Sequence, residues 1–191
     1  MADHPDKPIY FITSNLDKVS EVSALLGIPL APAALALNEI QSLSAETVVK
    51  DKFYQAYAKL KAPVIVDDTS LSLDAYGRFP GPFIKFLLDE AGLEAVCTMA
   101  IDDKGAVAQT VLGYYDQKNT IISTGTVHGT IADAPRGEHG FGWDSIFIPD
   151  GHDETFAEMT ADEKNAVSMR HLAAADLKKK LAPIIASPAH S

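Results

Sequence analysis

Residues 63–66, Pro-Val-Ile-Val, form a short apolar run that stops abruptly at Asp67, Asp68 and Thr69. Such a run reads as a buried strand, and its length and neighbours favour an α/β arrangement. Two carboxylates following it fall at the carboxyl edge of a sheet, where α/β folds bind ligands. Successive side chains of an extended segment point to opposite faces. Only one of Asp67 and Asp68 is therefore expected to face any given metal ion or water. The competing reading is a polar strand end in which Asp68 merely caps a turn. A phosphatase of the aspartyl-phosphate type needs D-x-D-x-T after such a strand, and the order here is D-D-T-S.

Other segments fit the same class. Ile9–Ile12 reads as a buried strand that runs into TSNLDK and then a helix with Val19, Val22, Leu25 and Leu26, ended by Gly27. A second helix is expected from Ala45 to Leu60 with Ser44 as its N-cap, and a third over Phe83–Ala91. After Ala95 the runs VCTMAI, VAQTVLGYY and TIISTGTVHGTI read as β, divided by the turn signals DDKG and DQKN, which points to antiparallel hairpins. A strand SIFI follows the glycine-rich PRGEHGFGWD. One final helix is expected over Ala161–Leu181, with residues 183–191 as a flexible tail. On that helix Lys164, Ser168 and His171 would share one polar face, opposite Ala166, Met169, Ala173, Leu177 and Leu181. No linker divides the chain, so residues 1–191 read as a single domain of mixed α/β fold.

Charge and composition then narrow the ligand. With 16 Lys and Arg against 26 Asp and Glu, the net charge of −10 speaks against broad attraction to nucleic acid. A small anion can still bind where a few cations and a divalent metal converge. The single cysteine, Cys97, excludes an intrachain disulfide and reads as a buried, inert thiol in a reducing compartment. No signal peptide is visible, and no apolar run approaches the ~20 residues of a membrane span. The expected location is cytoplasmic, with no membrane partner. The six histidines lack metal-binding spacing such as H-E-x-x-H. There is no G-x-S-x-G and no P-loop pattern.

Carboxylates and scattered lysines remain, a combination suited to Mg²⁺ and a polyphosphate. In TSNLDK, backbone N–H groups at a helix start, Asn15 and Lys18 can meet an anion; alternatively Ser14 or Asn15 is a simple N-cap. In GEHGFGWD, Phe141 and Trp143 can stack on a planar base while Asp144 accepts hydrogen bonds from it. Lys85 is a lone cation among apolar neighbours, readable also as a snorkelling surface lysine.

Four blocks, FITSNLDKVSEV, VIVDDTSLSLDAYGRFPGPFIK, GFGWDSIFIPDG and TFAEMTADEKNAVSMRHLA, together and in this order resemble the inosine triphosphate pyrophosphatase family over Ile9 to Leu181. The resemblance implies an elongated mixed central sheet with flanking helices and two lobes around a nucleotide cleft, usually in a homodimer. It implies Mg²⁺-dependent hydrolysis of deaminated purine nucleoside triphosphates to the monophosphate and pyrophosphate. Thr13, Ser14, Asn15 and Lys18 match the triphosphate loop, and Glu39 and Asp68 the metal-binding carboxylates, with Asp68 also the acceptor of the attacking water's proton. Lys52 and Lys85 match cations near the phosphates, and Asp67 and Thr69 flank Asp68 in the same block. Phe141, Gly142, Trp143 and Asp144 match the base-binding loop, and Lys164 and Arg170 the contribution of the last helix. The chain departs from the family in three places. Ser14 stands where glycine is common, Asp67 where glutamate is frequent, and Met169 where a histidine that helps hold the purine is usual. Methionine cannot supply that histidine's hydrogen bond. Other readings on the same fold are a non-hydrolysing nucleotide-binding or sensor protein, and a pyrophosphatase for other modified nucleotides.

Overall fold

A computed structural model describes residues 7–186. Its centre is strand β3 (Val64–Leu73), which runs ten residues, well past the expected end at Val66. The reason is a change of partner. Strand β1 (Tyr10–Ile12) pairs parallel with β3 only at Tyr10↔Val64 and Phe11↔Ile65. On the other edge, β5 (Gly105–Tyr115) pairs antiparallel with β3 from Val64↔Tyr115 through Leu73↔Ala106. Asp67 and Asp68 therefore lie in mid-strand, not at a carboxyl edge. Strand β4 (Pro80–Gly81) rejoins the first edge only at Leu71 and Ser72. Among the described residues no strand covers that edge between Val66 and Ser70.

The mixed seven-stranded sheet has the order β2-β1-β3-β5-β6-β7, with β4 on the edge of β3. Here β2 is Ala31–Ala33, β6 is Thr120–Ile131 and β7 is Phe147–Pro149. Helix α1 (Leu16–Leu26) and helix α6 (Met169–Ile185) cover one face around Phe11, Ile65, Leu112, Ala173 and Leu177. Helix α2 (Ala45–Leu60) covers the other around Val64, Val66, Val111 and Phe53. Alternation along β3 thus sends Ile65 one way and Val64 and Val66 the other, and the two carboxylates inherit that division. A third apolar group, under α3 (Ile84–Ala91) and α4 (Leu93–Met99), gathers Leu71, Leu73, Val96, Trp143, Phe147, Phe156 and Met169.

Two glycines let the helices approach the sheet. A Cβ at Gly113 would come within 2.4 Å of Val49 and 2.8 Å of Phe53 on α2; at Gly125 it would come within 1.8 Å of the Met169 carbonyl oxygen.

Three further expectations fail here. Val96–Met99 of the run VCTMAI are helical, because Val96, Cys97 and the capping Ala100, at helical spacing, bury one face. Residues 161–181 are not one helix: α5 (Ala161–Val167) ends at Ser168, whose ψ of 148° is extended. The Ser168 hydroxyl accepts from the His171 N–H at 3.2 Å and starts α6. The shared polar face of Lys164, Ser168 and His171 therefore does not exist. Finally, residues 183–185 belong to the last turn of α6 through Pro183, not to a tail; residues 187–191 lie outside the described part. No helix among the described residues is long and apolar enough to cross a membrane.

Candidate active site

Two cavities lie beside β3: one is lined by Lys18, the partner of Asp67, and the other by Lys52, the neighbour of Asp68. The larger, about 530 Å³, is lined by Lys18, Thr69, Phe141, Asp144, Lys164 and Arg170 among others. Lys18, on α1 behind the Asn15 N-cap, places its Nζ 3.1 Å from Asp67 Oδ2. Burial pushes the Asp67 carboxyl up, but Lys18, Arg170 and Lys52 together outweigh it and hold it below the ordinary carboxylate range. Thr69, next on the same face, shares a hydrogen bond of 3.1 Å with Thr110 of β5.

Across the cavity the loop before β7 is tied down by Asp144. Its Oδ2 accepts from Lys164 Nζ at 2.6 Å and from the Phe141 N–H at 2.7 Å. Phe141 is 53% exposed, with the Lys18 and Lys164 Nζ atoms and the Arg170 Cζ 5.8, 5.1 and 5.6 Å from its ring centre. Gly142, with φ +63°, turns the chain after it. Trp143 is instead a core residue, 6% exposed and packed edge-on against Phe147. Phe141 is thus the aromatic free to stack. The Arg170 guanidinium, 5% exposed, donates to Glu21 Oε2 on α1 at 3.0 Å, while its Nε has no partner among the described residues. Met169 lines the same cavity and packs into the distal core.

The second cavity, about 380 Å³, is lined by Thr13, Ser14, Glu39, Lys52 and the residues 34–37. Lys52 reaches from α2 into the uncovered edge of β3 and donates to the Asp67 backbone carbonyl at 2.9 Å. Its Nζ is also 3.6 Å from Asp68 Oδ1 and 3.9 Å from Glu39 Oε1. Burial lifts the Asp68 carboxyl most; Lys52 opposes it, Glu39 and Asp67 add to it, and the result is about 7. Asp68 Oδ2 is buried with no hydrogen-bond partner among the described residues. An orphaned carboxylate oxygen, with a second carboxylate near the same lysine, fits a hard divalent cation, which accepts one or two carboxylates and completes its shell with water and phosphate oxygens. Among the described residues no three His, Cys, Asp or Glu side chains gather, so the chain alone does not build a full cage.

The residues singled out in the sequence therefore divide between the two cavities. Thr13 and Ser14 line the carboxylate side; Lys18, Lys85, Lys164 and Arg170 line the other. Asn15 serves as the N-cap of α1, accepting from the Lys18 N–H at 3.2 Å, while its own N–H donates to Thr13 Oγ1. Lys85 is exposed on α3 at the rim. Sequence reasoning missed Glu21. Its signal was position: three residues after Lys18 on α1, it lies one turn further along the same side of the helix, where it meets Arg170 of the last helix.

Known proteins share this architecture. The profile of the Ham1 family matches residues 9–180. The inosine triphosphate pyrophosphatase of Kluyveromyces lactis is 40% identical over 189 residues, covering 93% of this chain and 97% of that protein. The dITP/XTP pyrophosphatase of Hyperthermus butylicus is 38% identical over 174 residues, covering 88% and 92%. The Ham1 protein of Staphylococcus aureus superposes with a TM-score of 0.82 at 26% identity, over 93% of this chain and 100% of that one.

Proposed function

The chain belongs to the Ham1 family, and from that premise we propose that it is a nucleoside triphosphate pyrophosphatase. Its substrates are deaminated purine nucleotides, the class named in its relatives. The observation that carries this reading is that two adjacent carboxylates meet lysines of two different cavities, one lined by cations and an exposed aromatic ring, the other holding Glu39. That is the polarity a nucleotide needs, with base and phosphates met by different groups.

In this reading Phe141 stacks on the purine, while Asp144 and Arg170 meet its polar edge. Lys18, with Lys85 at the rim, balances the charge of the phosphate chain, and Thr13 and Ser14 flank it. Glu39 and Asp68 would hold Mg²⁺, which would neutralise phosphate charge and make water a better nucleophile. Asp68 accepts the proton of the water that attacks the α-phosphorus, and pyrophosphate leaves. Lys52 keeps Asp68 and Glu39 in one field and steadies β3 through the Asp67 carbonyl. Met169 brings a thioether to the base cavity and offers no N–H to a 6-oxo group. A cytoplasmic homodimer completes the reading; the dimer rests on family resemblance alone.

Incubation with ITP, dITP, XTP, GTP and ATP in the presence of Mg²⁺ tests the proposal. Pyrophosphate and monophosphate should appear in equal amounts, fastest from the deaminated purines. Nucleotide binding by calorimetry without pyrophosphate from any of them would leave a sensor in place of an enzyme.

A further inference from the structure

The segment 34–43 has no regular structure, yet it carries Glu39 to the edge of β3. Side chains on one stripe of α2 strap it down. Lys52, Gln55 and Lys59 follow one another at i, i+3 and i+7, so they share a helix face. Lys59 Nζ donates to the Ala36 carbonyl. The Gln55 carboxamide meets the Asn38 backbone twice, accepting from its N–H at 2.9 Å and donating to its carbonyl at 2.7 Å. That double contact is what a neighbouring strand would make. Asp51 Oδ2 also accepts from Gln55 Nε2, at 2.5 Å, which fixes which end of the amide faces which partner. Asn38 directly precedes Glu39.

We propose that Gln55 is a positioning residue for the cation: its clamp on Asn38 presents the Glu39 carboxylate to the ion held with Asp68. This rests on the reading that Glu39 and Asp68 bind a divalent metal. Glu39's side chain is 57% exposed, and its nearest charged partner, Lys52, is 3.9 Å away. Its own contacts therefore do little to order it. Without the clamp, the entropy of ordering residues 38 and 39 is charged to metal binding. Partners one shell out from a metal typically change affinity about 10–100-fold.

The test is titration of nucleotide-free protein with Mn²⁺, a hard divalent probe, read by the electron paramagnetic resonance of the free ion. Wild type, Glu39→Gln, Gln55→Met and the double variant are compared, with thermal midpoints recorded for each. Gln55→Met should weaken Mn²⁺ binding about 10-fold and have no further effect in the Glu39→Gln background. If Gln55→Met does not fold, Gln55→Ala removes both contacts to Asn38 without adding a charge, and the same weakening of about 10-fold is expected. Unchanged Mn²⁺ affinity in a folded Gln55 variant overturns the proposal, and so does an equal loss with and without Glu39. Failure of the nucleotide-free wild type to bind Mn²⁺ is a different result: it overturns the role of Gln55 in the free protein, and Mn²⁺ binding in the presence of nucleotide then decides the metal reading separately.

Discussion

On one side of β3 the Asp67 carboxyl lies among Lys18, Lys52 and Arg170 and stays ionised; on the other, Asp68 meets Lys52, Glu39 and Asp67 and is lifted to about 7. The two residues are equally hidden, 7% and 8% exposed. Desolvation therefore raises both, and the difference comes from the neighbouring charges. Three cations overcome burial at Asp67, whereas one cation among two further carboxylates does not at Asp68. A strand that points consecutive residues to opposite faces can thus make one aspartate a permanent anion and the next a proton acceptor. The first suits a structural anchor for Lys18; the second suits acid–base work at neutral pH.

The most severe way to break this contrast is Asp68→Asn. Pyrophosphate release should fall by about 10²–10⁴-fold, the span attributed to a positioned proton acceptor. Near-normal turnover would remove Asp68 from the chemistry. A pH series on metal-free protein sharpens the contrast next. Asp68 in the fold holds its proton to about 7 against an ordinary value of 3.8, so between those values the folded chain binds more protons than the unfolded one. Its contribution to stability is complete below about pH 4 and fades as pH rises to about 7, by on the order of 4 kcal/mol. Denaturant midpoints should show that decline, and Asp68→Asn should remove it. Phe141→Ala probes the opposite cavity: KM should rise about 10-fold, in line with roughly 1–3 kcal/mol for a base stacked on an aromatic ring, and thermal stability should hold. Met169→His is the mildest change. One added hydrogen bond contributes about 0.5–1.5 kcal/mol, so the ratio of ITP to GTP hydrolysis should move by roughly 2–10-fold. An unchanged ratio takes position 169 out of base selection.

Much of this was legible in the residues. Ser44 and the limits of α2, the β5–β6 hairpin across DQKN, and the opposite facing of Asp67 and Asp68 all follow from local rules of capping, turns and pleat. What escaped depends on partners distant in sequence. Strand β3 continues past Val66 because β5 pairs with it along ten residues, and nothing within VIVDDTSLSL announces that partner. The break at Ser168 did leave a signal. A serine inside an apparent helix is a capping residue as readily as a helical one, and here its hydroxyl starts α6. Glu21 and Gln55 were missed for a common reason: each acts on another residue, Arg170 or Asn38, instead of carrying a recognisable chemistry of its own.

The gap in the β3 edge gives Lys52 an unusual double duty. Where a neighbouring strand would donate an amide N–H to the Asp67 carbonyl, a side-chain ammonium does so instead. The sheet is completed there by a side-chain tether carrying a full charge, so the architecture and the electric field of the pocket cannot be altered separately. Exchange of Lys52 for an uncharged residue would both unstitch the sheet at its working centre and let two carboxylates repel. A change of chemistry in a descendant of this chain therefore has more freedom at the loops around Phe141 than at this one lysine.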